Sequence, residues 1–400
     1  MRILFLSRWY PYPADSGARL RIFNIIRQLA RCHEIHLISF SSESVSLEQR
    51  QAMAQYCASV VVVPYRPFQP RRWKALASFF SARPRSVLDT YSLDFEHEVE
   101  QMGRQFGIDL VIASEIDMLL YPLKLPNVPR VINELQVLVI FDQYVQQRHP
   151  LKRLRHGLTW WKLSRYLAEC LPAYAGCAVV SDRERERILA AVPGYRSVIS
   201  VPNGVDLCQY SGDFGPPKAD TLVYAGSLTY RPNLAAVTFF LSQIFPAIRA
   251  KRPDAKLLVT GSLDGVNRRA LPEIDGVVFT GYLDDVRPTI AQSWVSIVPL
   301  LAGGGTRLKI LESLALCTPV VSTVKGAEGL NLVAGRDILI ADRPDDFAAA
   351  VLSVMQDVNL RNSLGRNGYQ AVAAQYSWET IGQSFRDFIE TTVAGRQGWP

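Results

Sequence analysis

Cysteine and histidine are scarce in this chain of 400 residues, with six and five copies. No two cysteines form a CxxC pair and no histidines form an HExxH arrangement, so neither a zinc site nor a disulfide framework is indicated. We therefore expect no bound metal and no cofactor of that kind. The thiols are best interpreted as small hydrophobic residues of a protein that folds in a reducing compartment.

Long apolar runs are also missing. No stretch approaches the roughly 20 consecutive apolar residues that a membrane-spanning helix needs. The apolar run before Arg8 is shorter than the hydrophobic region of a secretory signal, so we expect no signal peptide and a cytoplasmic location. With 48% apolar and 20% charged residues, the composition excludes disorder or coiled coil as a description of the whole chain.

The excess of positive charge is confined to one half. Residues 1–200 carry 26 Lys and Arg against 18 Asp and Glu, a balance of +8, whereas residues 201–400 carry 18 against 19, a balance of −1. A basic half suits nucleic acid, a phosphorylated substrate or an anionic membrane surface. No recognised nucleic-acid-binding motif accompanies the charge, and we expect no nucleic-acid partner.

Strand-like apolar runs alternate with amphipathic helical stretches in both halves, which predicts an α/β protein with two doubly wound parallel sheets. A segment rich in Gly, Pro and Asp, VPNGVDLCQYSGDFGPPKAD, separates the halves. We place an N-terminal domain at 1–205, a C-terminal domain at 206–376, and a final helix, about 377–400, that packs back on the first domain. Such sheets bind ligands at the carboxyl ends of their strands, so facing domains would hold the active site in a cleft between them.

A glycine-rich motif follows a predicted strand of the second half, in the sequence GGGTRLKILE. Its loop would let the backbone approach a ligand, and the following helix would offer free N–H groups to an anion. The spacing is that of neither a P-loop nor a dinucleotide-binding loop. A flexible turn before a surface helix would explain the same residues, but the preceding apolar strand favours a phosphate site. The loop residues are Gly303, Gly304, Gly305 and Thr306.

Charged side chains follow this loop on the same helix. Arg307 and Lys309 could neutralise a diphosphate, and Glu312, three residues after Lys309, shares its helix face. A carboxylate there could accept hydrogen bonds from sugar or ribose hydroxyls. An ordinary Lys–Glu surface pair is the alternative interpretation.

Two further glycine turns stand between a strand and a helix. The sequence YAGSLTYRPN contains Gly226 and Ser227 and puts Arg231 at a predicted carboxyl edge, and Gly17 precedes the first helix of the chain. Each would suit a phosphate, although a plain strand-to-helix turn accounts for each segment taken alone.

Taken together and in order, these motifs and several others resemble the family 4 glycosyltransferases, most of all the branch that builds bacterial exopolysaccharides and other cell-surface glycans. The segments that carry the resemblance are VPNGVD, YAGSLTYRPN, TGYLDDVRP, GGGTRLKILESLA, PVVST, GAEGL and YSW. The resemblance implies the GT-B fold, with two Rossmann-like domains. It implies transfer of a sugar from a nucleotide-diphosphate sugar with retention of configuration and without a metal ion.

The resemblance also implies roles for particular residues. Arg231 and Lys309 would hold the diphosphate, and Glu312 would hold the ribose. The donor would further contact the glycine turns, Arg307 and the Glu328 of GAEGL. In such enzymes the leaving diphosphate helps to deprotonate the acceptor, and its electrostatic stabilisation is the main catalytic work.

Two positions depart from the family pattern. Gly304 replaces the first member of the usual Glu-x7-Glu pair, a residue that commonly contacts the donor sugar. The stretch INELQ has no histidine where many relatives have one, and Glu134 or Gln136 could contact the sugar or the acceptor there. A loop residue or a helix cap is an equal interpretation of both side chains.

Residues 143–168 contain six Lys and Arg and no acid, and between them lie Trp160, Trp161, Leu154, Leu158 and Leu163. If helical, this segment is basic and amphipathic, which suits an anionic membrane surface. The alternative is a packed helix with a solvated basic face.

The sequence therefore predicts a glycosyltransferase, peripheral on the inner face of the cell membrane, that extends a glycan or a lipid-linked glycan. An epimerase acting on nucleotide sugars is one alternative. A catalytically silent scaffold in a glycan-assembly complex is another, which the glycine at 304 permits.

Overall fold

In the computed structural model the described residues are 1–73, 75, 78, 81–268, 271–303 and 307–395. The chain divides into two compact units, one made of Met1–Pro202 with Ile381–Pro400 and the other of Asn203–Thr380. These divisions fall a few residues from the limits at 205 and 376 that we predicted.

Unit 1 is built on a parallel sheet, to which the described residues contribute seven strands in the order β3-β2-β1-β4-β5-β6-β7. The apolar run of the first strand is fully buried, as expected for a strand covered on both faces. The strands are β1 Arg2–Ser7, β2 Glu34–Ser41, β3 Ser59–Pro64, β4 Leu110–Ser114, β5 Arg130–Glu134, β6 Gly176–Val179 and β7 Val198–Ser200.

Helices cover this sheet and begin where side chains satisfy their first N–H groups. Ser46 and Gln49 form a capping box at α2, and Ser92 accepts a hydrogen bond from Phe95 N–H at α4. The last helix, α14, returns to unit 1 and buries Phe385 and Ile389 there. The helices are α1 Gly17–Leu29, α2 Leu47–Ala54, α3 Arg85–Thr90, α4 Leu93–Phe106, α5 Leu138–Gln146, α6 Pro150–Cys170, α7 Asp182–Ala191 and α14 Trp378–Ala394.

Unit 2 repeats the plan with a parallel sheet of six strands among its described residues, in the order β10-β9-β8-β11-β12-β13. In both units the first strand lies centrally and the chain reverses its direction of travel across the sheet beside it. Ligands bind at such a reversal, outside the carboxyl ends of the strands. The strands are β8 Lys218–Ala225, β9 Lys256–Thr260, β10 Val277–Gly281, β11 Ser293–Val298, β12 Val320–Ser322 and β13 Leu339–Ile340.

The helices of unit 2 include one run that composition alone could assign to a membrane. Residues Arg231–Lys251 are long and apolar enough to cross a bilayer, but Phe240, Leu241 and Ile244 are fully buried in the core of this unit. They pack as in the core helix of a globular domain. The helices are α8 Arg231–Phe239, α9 Phe245–Lys251 after a π-helical turn at Phe240–Ile244, α10 Arg287–Ala291, α11 Leu308–Ala315, α12 Pro344–Gln356 and α13 Val358–Gln375.

Candidate functional site

Two of the predicted motifs meet at the carboxyl edge of the sheet in unit 2. The ammonium of Lys309, on α11, donates hydrogen bonds to the hydroxyl of Tyr224 at 2.9 Å and to Oδ1 of Asn233 at 3.1 Å. Tyr224 is the last residue but one of β8, and Asn233 lies in the first turn of α8. A Cβ built on Gly303 would lie 3.4 Å from the Tyr230 hydroxyl, so the loop after β11 also contacts the turn after β8.

Asn233 stabilises the turn after β8 through side-chain hydrogen bonds. Its Oδ1 accepts a hydrogen bond from the buried Tyr224 hydroxyl at 2.9 Å, and its amide donates to the Ser227 carbonyl at 2.8 Å. The Ser227 hydroxyl lies 2.7 Å from that of Thr229 within the same turn. Tyr224 and Asn233 are the first and last residues of the motif YAGSLTYRPN, but the sequence indicated no role in the site for either of them.

Gly226 lies where a side chain would collide with this network. Its φ of +145° is a conformation that L side chains rarely adopt, and a Cβ there would lie 2.8 Å from the Lys309 ammonium. At position 226 the turn therefore brings backbone, and no side chain of its own, next to the lysine.

Burial lowers the pKa of Lys309 to about 7, with Arg307 adding to the decrease and Glu312 opposing it. Its ammonium is thus destabilised in the free protein at neutral pH. An anion bound at this edge would favour the charged form and raise the pKa again. Such a group suits recognition of a diphosphate.

Glu312 lies one turn further along α11 and is half-buried. Burial raises the pKa of its carboxyl, against the effects of a hydrogen bond from the Tyr210 hydroxyl and of Lys309. Tyr210 belongs to the start of unit 2, and its pKa is raised by burial and by Glu312. The sequence offered no signal for this partner of Glu312.

Arg307 is 6% exposed and binds backbone. Its guanidinium donates to the Gly303 carbonyl at 2.8 Å and to the Lys325 carbonyl at 3.3 Å. Burial lowers the pKa of Arg307, while Glu328, which is ion-paired with Lys325 at 2.5 Å, opposes the decrease. Arg307 thus joins the loop after β11 to the segment that holds Glu328.

The other predicted donor-binding residues of unit 2 lie at the same edge or outside the described part of the chain. Arg231 is exposed at the first position of α8. Gly304, Gly305 and Thr306 lie outside the described residues.

The candidates of unit 1 lie at the carboxyl edge of its own sheet. Gly17 is exposed and begins α1. Glu134 ends β5, is buried, and lies 3.6 Å from Nε of the fully buried Arg21. The Gln136 amide donates to the Glu134 carboxylate at 2.5 Å. Arg21 also donates to the Asn133 carbonyl at 2.9 Å, so Glu134 belongs to a buried polar network.

Glu115 is a further candidate at this edge that sequence reasoning missed. It follows β4 directly, with a φ of +77° that is unusual for a residue with a side chain. Burial raises its pKa to about 8, Glu134 raises it further, and Arg8 opposes the increase. Its position straight after a buried strand was the only signal that the sequence offered.

Among the described residues, no group of three or more His, Cys, Asp or Glu side chains is arranged to hold a metal ion.

The chain is similar in sequence and in fold to known proteins. Residues 219–357 match the family described as "Glycosyl transferases group 1". Over 398 residues, or 95% of this chain and 97% of the relative, the chain is 22% identical to an "Uncharacterized 44.6 kDa protein in cps region" of Klebsiella pneumoniae.

A second relative is the "GDP-mannose-dependent monoacylated alpha-(1-6)-phosphatidylinositol monomannoside mannosyltransferase" of Corynebacterium glutamicum. It is 25% identical over 239 residues, which are 53% of this chain and 61% of that protein. Among solved structures, HepE of Anabaena in complex with UDP-glucose superposes with a TM-score of 0.64 at 14% identity, over 98% of this chain and 100% of that one.

The two parallel-sheet units and these structural neighbours fit the GT-B fold that the motifs predicted. The match over residues 219–357 lies within unit 2 and contains the Lys309 network. Together, the family match and the fold support the assignment of the chain as a GT-B glycosyltransferase.

Proposed function

We propose that this protein transfers a sugar from a nucleotide-diphosphate sugar to a glycan or a lipid-linked glycan, with retention of configuration and without a metal ion. The observation that carries the proposal is the position of Lys309 beside the glycine turn at Gly226, at the carboxyl edge of unit 2. This is where a doubly wound domain binds nucleotides.

Different residues of unit 2 bind the diphosphate and the ribose of the donor. Lys309 and Arg231 neutralise the diphosphate, and Gly226 lets that group approach the backbone. Glu312, oriented by Tyr210, accepts hydrogen bonds from the ribose hydroxyls. As the glycosidic bond to the donor breaks, negative charge grows on the leaving diphosphate, and fixed positive groups stabilise it more in the transition state than in the ground state. The leaving phosphate then takes the proton of the acceptor hydroxyl.

The similar proteins leave the donor base open, since one is named for GDP-mannose and the other was solved with UDP-glucose. Thermal-shift measurements with a panel of UDP-, GDP- and ADP-sugars identify which donor the protein binds. A donor at a hundredfold over its Kd should stabilise the protein by about 2.7 kcal/mol. The selected donor is then incubated with acceptor glycans in EDTA, and the anomeric configuration of the product is read by NMR.

Each alternative gives a different outcome in the same experiment. A new nucleotide sugar formed without acceptor indicates an epimerase, and donor binding with no turnover on any acceptor indicates a scaffold. Inhibition by EDTA or an inverted product contradicts the proposed mechanism. The relative from a cps region supports acceptors drawn from surface polysaccharides.

We further propose that the protein docks on the inner face of the cell membrane through α5 and α6. Along α6, Leu151, Leu154, Leu158 and Trp161 repeat at helical spacing and are 72%, 72%, 48% and 50% exposed. Leu163, which we had grouped with them, is buried, and Trp160 packs edge-on against Phe141 at 5.1 Å. The apolar stripe therefore differs from the one predicted from the sequence.

A further inference from the structure

Unit 1 contains a cavity of about 470 Å³ beneath the helical hairpin of α5 and α6. Apolar side chains make up half of its described lining and come from five parts of the chain, among them Phe68, Val87, Ile116, Ile140, Leu158 and Leu163. Ile116 directly follows Glu115, so the cavity adjoins the carboxyl edge of the sheet in unit 1.

Positive groups border this apolar space. Arg85, Arg155 and Lys162 line it together with His156, and the described lining residues include no Asp or Glu. Lys162 is only 6% exposed, and its ammonium donates to the Ser78 carbonyl at 3.0 Å. Arg85 donates to the carbonyls of Ala75 and Pro70, both at 2.8 Å. Backbone carbonyls thus contact two of the cations at the wall of this cavity.

These cations also interact with each other. Burial and the neighbouring Arg85 lower the pKa of Lys162. Both groups donate hydrogen bonds to backbone carbonyls, which carry no net charge. An anion in the cavity would relieve this repulsion, whereas a neutral apolar ligand would leave it unchanged.

We propose that this cavity binds the anionic head and the first carbons of a single-chain lipid phosphate. Resting on the proposed function, we assign that lipid to the carrier of the acceptor glycan. The phosphate lies near Arg85, Arg155 and Lys162, where monodentate and bidentate donors are available. The glycan beyond it extends toward the carboxyl edge at Glu115.

The structure also offers a path for the rest of the tail. Leu158 lines the cavity, and Leu154 and Leu151 continue from it along one face of α6. These positions are three or four residues apart and therefore form one continuous strip on the helix. A tail that leaves the cavity would follow this exposed strip into the membrane.

Decyl phosphate tests the proposal directly. The full chain is titrated by calorimetry with decyl phosphate below its micellar concentration, and in parallel with 1-decanol and with inorganic phosphate. We expect one site, with decyl phosphate binding at least about tenfold more tightly than either part alone, because head and tail are recognised together. Inorganic phosphate binding as tightly as decyl phosphate, or 1-decanol doing so, overturns the proposal.

Matched variants separate the cavity from general surface charge. Arg155→Gln removes a lining cation, and Lys152→Gln removes an exposed cation of the same helix that does not line the cavity. Arg155→Gln should weaken decyl phosphate binding by about tenfold, and Lys152→Gln should change it less than about twofold. Leu158→Glu should weaken it as well. Equal effects of the two cation variants contradict a site in the cavity.

The nucleotide-sugar thermal shift, which depends on unit 2, reports on folding in every variant. If donor transfer occurs but decyl phosphate does not bind, the cavity inference fails and the proposed function stands. If decyl phosphate binds in the expected variant pattern and no nucleotide sugar binds, the proposed function fails and the cavity assignment stands.

Discussion

The ammonium of Lys309 lies 2.9 Å from the hydroxyl oxygen of Tyr224 and 4.1 Å from the centre of the same ring. Both contacts fix the lysine before any ligand arrives. Because the group is already oriented and partly desolvated, less of the interaction energy with a diphosphate is lost in ordering the side chain.

Nucleotide binding should therefore be coupled to the protonation of Lys309. In the free protein its pKa is about 7, and a bound diphosphate raises it. Between these two pKa values binding takes up a proton, so affinity should fall as pH rises above 7. Calorimetry at pH 8 in buffers of different ionisation enthalpy measures the uptake. Lys309→Met should abolish uptake and weaken binding, and uptake that persists in this variant would assign the proton elsewhere.

Gly226→Ala should abolish donor binding because the added methyl group would collide with the Lys309 network, Asn233 Nδ2 at 3.0 Å included. A methyl group there would lie 2.8 Å from the Lys309 ammonium. Gly281→Ala is the matched control, because Gly281 also has a positive φ, of +74°, but has nothing within 4 Å of an added Cβ. Both variants place a side chain at a positive φ, which costs about 1–3 kcal/mol of backbone strain. Loss of nucleotide binding in both, or in neither, as measured by calorimetry, would contradict the role of this contact.

Glu312→Gln should weaken free nucleotide and nucleotide sugar alike, since the ribose is common to both. Hydrogen bonds to charged groups contribute about 1.5–3 kcal/mol, which corresponds to a Kd at least about tenfold higher. Tyr210→Phe removes the hydrogen bond to this carboxylate and should have a smaller effect of the same kind. Unchanged nucleotide affinity in Glu312→Gln would leave the carboxylate a structural role with Tyr210 and Lys309.

Flotation with anionic liposomes tests membrane docking. The protein should float at low salt and much less at high salt, because each basic residue near the surface contributes about 1 kcal/mol that salt screens. The double variant Leu151→Gln/Leu154→Gln should float less. The control is Leu47→Gln/Leu93→Gln, whose leucines are 71% and 72% exposed elsewhere in unit 1. Equal loss in both double variants, or equal flotation with neutral vesicles, would argue against the α6 stripe.

Glu115 should make the stability of the protein depend on pH. Its pKa is about 8 in the folded state, so between about pH 4.3 and 8 the folded protein keeps a proton that the unfolded chain has lost. The free energy of unfolding should therefore decrease as pH rises through this window. Denaturant unfolding at pH 5 and pH 8 measures the decrease, which should be smaller in Glu115→Gln. An equal decrease in both proteins would assign it to other groups.

A clear apolar period makes helices such as Leu93–Phe106 and Pro344–Gln356 predictable from the sequence. Helix α13 is not predictable in this way, since Asn and Gly residues interrupt its pattern. Its glycines serve packing: a Cβ on Gly365 would lie 2.3 Å from the Cys317 carbonyl, and one on Gly368 would lie 2.5 Å from Leu314. Small residues that allow close approach look like helix breakers in a sequence.

At the candidate site, the sequence allowed prediction of the charged residues but not of the residues to which they are hydrogen-bonded. The motifs indicated Lys309 and Glu312, but their hydrogen bonds join α11 to Tyr224 and Tyr210, residues more than 80 positions away in the chain. Arg307 was expected to offer its charge to the donor, and its hydrogen bonds to the carbonyls of Gly303 and Lys325 were not predicted. The spacing of residues along a helix predicts which face of the helix a side chain occupies. It does not predict which strand will pack against that face.

The return of α14 to unit 1 constrains the order in which the chain folds during synthesis. Phe385 and Ile389 complete the core of unit 1, and the ring of Phe388 packs against Gly176 so closely that a Cβ there would lie 2.4 Å away. These residues leave the ribosome after all of unit 2. The N-terminal sheet therefore stays incompletely covered while some 180 further residues are synthesised. Unit 2 is the first part of the chain whose core residues have all left the ribosome. A nascent chain stalled before Ile381 should present that uncovered surface to chaperones.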